Sequence, residues 1–253
     1  MSEQTPPPSS GRALWGAVTI LGIAVGVLLV RDFVPAVYSE RESRVRDYIM
    51  AHPEVITDAI DVLQQRQAKA DEAAARQQII DSHDELFHDA ASVATNESTS
   101  AVNIVEFFDY NCTYCRQSFE ATKKIQAKDD VRFVFKEFPI LGPGSVYAAK
   151  AAIASIKQGQ DKYLAFHDAM MTHPGRIEKD VVLQIAGDMG LDLARLEADM
   201  EAPEVQAVID RNMALARSIG VTGTPAFVIK DELIPGAVDY DYLVDVVEKK
   251  KDS

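Results

Sequence analysis

The chain has 253 residues, 47% of them apolar, which is enough for one full-sized core plus something smaller. Its formal charge of -13, from 39 acidic and 26 basic residues, opposes attraction to phosphate backbones and excludes nucleic acid as a partner. The two cysteines are too few for a four-ligand zinc site, and three residues apart they close almost no loop, so redox chemistry or soft-metal capture remains.

In chain order, residues 1–11 are rich in Ser, Pro and Gly and read as a disordered tail. Residues 13–30 then form 18 consecutive positions without a charge, between Arg12 and Arg31. That length can cross a bilayer as a helix and exceeds the usual core of a signal peptide, about 7 to 15 residues. The alternative is a cleaved signal, with Val34 and Ala36 as the small residues of the cleavage site. Either reading exports the rest of the chain.

From about Glu40 to Ala91 the pattern turns helical, with Pro53 suited to a first turn and Val55, Ile56, Ala59, Ile60 and Leu63 forming one apolar stripe. Residues 64–78 carry no large apolar side chain, which predicts a solvated stalk or a thin alanine-lined coiled coil. His83 and His88, five apart, fall off a common helical face, and no metal site is expected there. A polar break, 95–100, separates the stalk from a strand at 101–108, a helix from near Cys112 to about Ala127 and a second strand at 131–138. This order describes a right-handed parallel unit. Residues of roughly 145–219 are mostly helical, broken at Gly159, His173-Pro174-Gly175, Gly190 and Pro203. A strand at 225–230, a short strand near Leu233 and a helix from about Tyr240 to Lys250 close the chain.

Cys112 and Cys115 are the residues that carry chemistry. A cysteine at the start of a helix meets unpaired N–H groups and the positive end of the dipole, which lowers its thiol pKa. Cys115, almost one turn on, presents its sulfur on the same side and is drawn toward the interior. The first sulfur attacks or is attacked, and the second resolves the mixed disulfide. Thr113 and Tyr114 between them add no positive charge, which predicts a weaker oxidant than a spacer with a histidine.

Three motifs in order, Val105-Glu106-Phe107-Phe108-Asp109-Tyr110-Asn111-Cys112-Thr113-Tyr114-Cys115, Phe138-Pro139-Ile140-Leu141-Gly142 and Gly220-Val221-Thr222-Gly223-Thr224-Pro225-Ala226-Phe227, resemble the DsbA-like branch of the thioredoxin superfamily. The resemblance implies an α/β thioredoxin-like fold with a helical insertion, here preceded by a transmembrane helix and a helical stalk. The chain thus divides into a cytoplasmic tail and transmembrane anchor or signal at 1–35, a stalk and candidate oligomerisation segment at 36–95, and a catalytic domain at 96–253. The resemblance itself covers about residues 100–250. It implies that Pro225 is cis and faces the cysteine pair, that Thr224 offers its backbone to an extended substrate, and that Glu106 is a buried acid that accepts a proton from Cys115. Tyr114 is assigned a tuning and contact role, and Lys136 is a candidate partner for Glu106. No cofactor is implied. The expected partners are client proteins with cysteines or disulfides and a membrane redox partner that resets the pair. The expected location is a bacterial inner membrane, spanned once by 13–30, with the catalytic domain in the periplasm; cleavage near Ala36 would release it there.

The segment from His52 through Leu63 is similar to the oligomerisation segment of ScsC (suppressor of copper sensitivity C) proteins, which favours a homo-oligomeric disulfide isomerase over a monomeric thiol oxidase. A reading from a different class is Cu(I) binding by the two thiolates, since that soft ion needs few ligands.

Overall fold

The computed structural model describes residues 42–96 and 102–251, in two units that divide between Ala68 and Lys69. The apolar segment 13–30 and the cleavage position at Ala36 lie outside the described residues. Among the described residues no helix is long and apolar enough to cross a membrane.

In the first unit, helical residues 42–51 (α1) are followed by α2, Glu54–Asp81, which runs on into the second. A residue before proline avoids helical geometry, so the His52-Pro53 step interrupts the run, with the His52 N–H closing on the Tyr48 carbonyl at 2.8 Å. Val45, Tyr48 and Met50 on α1 are exposed, as are Val55, Ile56, Ile60 and Leu63 on α2. The apolar stripe read from the sequence is therefore present and uncovered.

In the second unit, α2 buries Ile79 and gives way to the single-turn α3, His83–Phe87, whose Leu86 and Phe87 are also buried. The sheet has the order β2-β1-β3-β4. Strands β1 (Val102–Phe108) and β2 (Val131–Glu137) pair in parallel across α4, Thr113–Gln126, while β3 (Ala226–Ile229) runs antiparallel to β1 and forms a hairpin with β4, Glu232–Pro235. Between β2 and β3 lie α5 (Pro143–Ser155), α6 (Gln160–Thr172), α7 (Lys179–Asp188), α8 (Leu193–Met200) and α9 (Pro203–Ser218), and α10 (Tyr240–Lys251) ends the fold. This is the thioredoxin-like α/β arrangement with a helical insertion, interrupted where Gly159, Pro174, Gly190 and Pro203 predict.

Alternation along β1 serves two cores, because successive side chains point to opposite faces. Ile104 and Phe108 join Phe133 and Phe135 on the face that packs with α4, α10 and the insertion. Val105 and Phe107 join Val134, Ile79, Leu86 and Phe87 on the other face, closed by Leu215 of α9 and Ile219 just after it. The outer edge of β2 would offer unpaired backbone groups. Residues 93–95 cover it: Phe135 donates to the Val93 carbonyl and Thr95 to the Phe133 carbonyl, both at 3.0 Å.

Candidate functional site

The cysteine pair sits where the chain turns from β1 into α4. Cys112 is the N-cap residue, extended at φ -80° and ψ 117°, and its Sγ accepts the Cys115 N–H at 3.4 Å. A cap position leaves first-turn N–H groups aimed at its side chain, so the sulfur occupies the place of a capping oxygen. The Cys112 thiol also lies 3.2 Å from the Thr224 carbonyl, to which it donates, and the Thr224–Pro225 peptide is cis. Two segments more than a hundred residues apart in the chain thus meet at one sulfur.

The two thiols differ sharply. A hydrogen bond from Cys115 is the largest influence on Cys112; with the Thr224 side chain and the N–H groups of Cys115 and Tyr114 it outweighs burial and holds the thiol down to about 6. Cys115 is pushed far up, by burial first, then by donating to Cys112 and by the negative charge of Glu106. One sulfur is poised as a thiolate and the other held as a thiol. Tyr114, between them, is 62% exposed.

A short polar scaffold fixes the loop before the pair. The buried Asp109 carboxylate accepts the N–H of Asn111 at 2.8 Å through one oxygen, and through the other those of Ile140 and Leu141 at 2.8 and 2.9 Å. Asn111 pairs with both backbone groups of Ile177, at 2.8 and 3.0 Å, stitching the site to the insertion. Gly144 makes this closure possible, because a Cβ there would stand 2.8 Å from the Ile177 carbonyl. Arg116 donates to the Tyr110 and Gly175 carbonyls, and its charge acts on Cys112. The spacer lacks a cation, but the site does not. Asp109→Ala would orphan three N–H groups bound by a charged acceptor, and urea denaturation is expected to show a loss of about 3 kcal/mol or more.

Glu106 is buried beneath α4 and held up to about 8, by burial first and then by the Cys112 charge. Lys136 is not its partner. The parallel register aligns Glu106 with Phe135 and Phe107 with Lys136, which puts Lys136 on the opposite face of the sheet. There its ammonium meets Asp89 at 2.9 Å. On the Glu106 face stands instead Glu137, a second buried acid that the sequence reading missed. Its Oε1 accepts the Tyr110 and Tyr163 hydroxyls, each at 3.1 Å, and Tyr110 also contacts His167 Nδ1 at 3.1 Å. Burial pushes the Glu137 carboxyl well above the usual carboxylate range and drives the His167 imidazole down to about 3.

Residues 103–248 match the family described as DSBA-like thioredoxin domain, and residues 42–70 match the family described as copper resistance protein ScsC N-terminal domain. A thioredoxin-like oxidoreductase from Silicibacter pomeroyi is 45% identical, over 67% of this chain and 98% of that one, with a TM-score of 0.64. Proteus mirabilis ScsC in a transitional conformation is 32% identical over 86% of this chain and 98% of that one, with a TM-score of 0.63. Disulfide bond formation protein D of Bacillus subtilis is 26% identical over 160 residues, covering 59% of this chain and 72% of that protein. The chain spans only 24% of another curated relative, a Na(+)/H(+) antiporter NhaA from Herminiimonas arsenicoxydans, at 28% identity.

Proposed function

The chain belongs to the DSBA-like thioredoxin domain family and is a thiol-disulfide oxidoreductase, and from that premise we propose that it rearranges disulfides in client proteins, with Cys112 as nucleophile and Cys115 as resolving thiol. The observation that carries this reading is the asymmetry of the pair: Cys112 is held down to about 6 while burial keeps Cys115 protonated. The Cys112 thiolate attacks one sulfur of a client disulfide; the Cys112–client S–S bond forms, and the other client sulfur leaves as a thiolate. In rearrangement a second client thiolate attacks the mixed disulfide, Cys112 departs as thiolate, and no net electrons move. In resolution Cys115 loses its proton to the ionised Glu106 carboxylate and attacks Cys112; the client leaves as a thiolate, the client cystine is reduced and the pair oxidised. Thr224 and Pro225 receive the client backbone beside the sulfur, and Tyr114 contacts its side chains.

Isomerisation gains from several sites around one misfolded client, and the uncovered stripe at Val55, Ile56, Ile60 and Leu63 supports self-association. In this reading residues 13–30 hold the chain in a bacterial inner membrane, with 96–253 as the catalytic domain in the oxidising periplasm and a membrane redox partner resetting the pair. The informative truncation ends at Ala68, because Ile79, Leu86 and Phe87 belong to the core of the sheet. Light scattering on residues 36–253 is expected to give a dimer or trimer that rescues scrambled ribonuclease. Residues 69–253 are expected to be monomeric, to oxidise reduced peptides at an unchanged rate and to lose at least about tenfold in rescue. A monomeric 36–253 fragment that only oxidises returns the protein to a thiol oxidase.

A further inference from the structure

We propose that His83, Asp84 and His88 form a surface site for a divalent first-row transition metal of the zinc, nickel and copper(II) class. One ligand atom from each lies within 4.8 Å of the others, and all three residues are exposed. A continuous helix would keep residues five apart on different faces. Here α2 stops at Asp81 and α3 is one turn that ends at Phe87. His88 therefore leaves helical geometry, at φ -125° and ψ 11°, while its N–H stays on the Asp84 carbonyl at 2.8 Å. The two imidazole rings come to stand 5.4 Å apart.

The backbone under these side chains is fixed by contacts unrelated to a metal. Leu86 and Phe87 are buried, the Leu86 N–H donates to the Ser82 carbonyl at 2.9 Å, and the Arg132 guanidinium donates to the Phe87 carbonyl. Donor atoms bound to one cation at about 2.0–2.2 Å stand about 3–3.5 Å apart, so closure needs about 1–2 Å of movement, within exposed side-chain torsions. Charge favours the cation: from Asp81 to Asp89 the chain carries four carboxylates and no lysine or arginine. Of the cations around this segment, Arg132 is engaged on the Phe87 carbonyl and Lys136 on Asp89, while Arg211 lines the same cavity as Asp84 and Glu85. Two imidazoles and a carboxylate suit borderline transition metals rather than calcium or magnesium, and leave positions for water. Phe87 packs in the core on the opposite side of β1 from the cysteines, so the site is separate from the redox pair.

The test uses the full chain with Cys112 and Cys115 oxidised to a disulfide, which removes both thiolates as competing ligands. Zinc chloride is titrated calorimetrically and the thermal midpoint followed. Saturable uptake of one equivalent with a raised midpoint is expected. His83→Ala and His88→Ala should each weaken binding at least about tenfold and leave the metal-free midpoint unchanged. His52→Ala should bind zinc like the native chain. Equal uptake by the His83→Ala/His88→Ala double variant, or no saturable uptake by the native chain, overturns the proposal.

Discussion

Cys112→Ser is expected to abolish disulfide exchange, by at least about 10³-fold, whereas Cys115→Ala should leave the first attack intact and accumulate the client as a stable mixed disulfide. The asymmetry follows from the two environments. With Cys112 held down to about 6, roughly nine-tenths of it is thiolate at pH 7, against a few per cent for a free thiol. Iodoacetamide trapping of the reduced protein should therefore show a midpoint near pH 6 that belongs to Cys112. Since a hydrogen bond from Cys115 is the largest influence on that thiolate, Cys115→Ala should move the midpoint up by at least about one unit. Each unit removed from the thiolate's stabilisation is worth about 1.4 kcal/mol, or about 30 mV, against the reduced pair. A Cys112 midpoint that stays near 6 in Cys115→Ala would place the stabilisation in the helix terminus and Thr224 instead.

The parts legible in the sequence are those whose physics is local or carried by a motif. The strand at 102–108 announces itself by β-branched and aromatic residues, the breaks of the insertion by Gly159, Gly190 and Pro203, and the turn into α4 by the cysteine spacing. Thr224 reaches Cys112 across more than a hundred residues, and only the three-motif resemblance made that juxtaposition readable. What stayed hidden depends on register. A shift of one residue between β1 and β2 moves every side chain to the other face, and composition does not set that shift. Lys136 looked like a partner for Glu106, and the register instead sends it to Asp89, on the far side of the sheet. The same register brings Glu137 onto the Glu106 face, where Tyr110, Tyr163 and His167 arrive from α6 and the loop after β1. No spacing rule joins residues that far apart. The spacing of His83 and His88 was likewise read along one continuous helix, whereas α3 ends at Phe87 and His88 leaves helical geometry, which brings ligand atoms of the two within 4.8 Å.

Glu106→Gln should slow resolution and raise stability, with opposite consequences that share one cause. The carboxylate is held up to about 8 by burial first and then by the Cys112 thiolate, against an unfolded value near 4.5. Between these two values the native state holds a proton that the unfolded chain has released, so the stability of the reduced protein falls as pH rises from about 4.5 to about 8. The full cost, about 4–5 kcal/mol at and above pH 8, is absent below pH 4. Denaturant titration at pH 4 and pH 8 should show Glu106→Gln close to the native stability at the first and more stable by several kcal/mol at the second. Retaining that cost is intelligible if the ionised carboxylate accepts the Cys115 proton. Without it, resolution should slow about 10²-fold at pH 8, where about half of Glu106 is ionised, while the attack by Cys112 keeps its midpoint near 6. Single-turnover kinetics separate the steps: a variant that gains stability at pH 8 and still resolves its mixed disulfide at the native rate would leave Glu106 with no part in moving the proton.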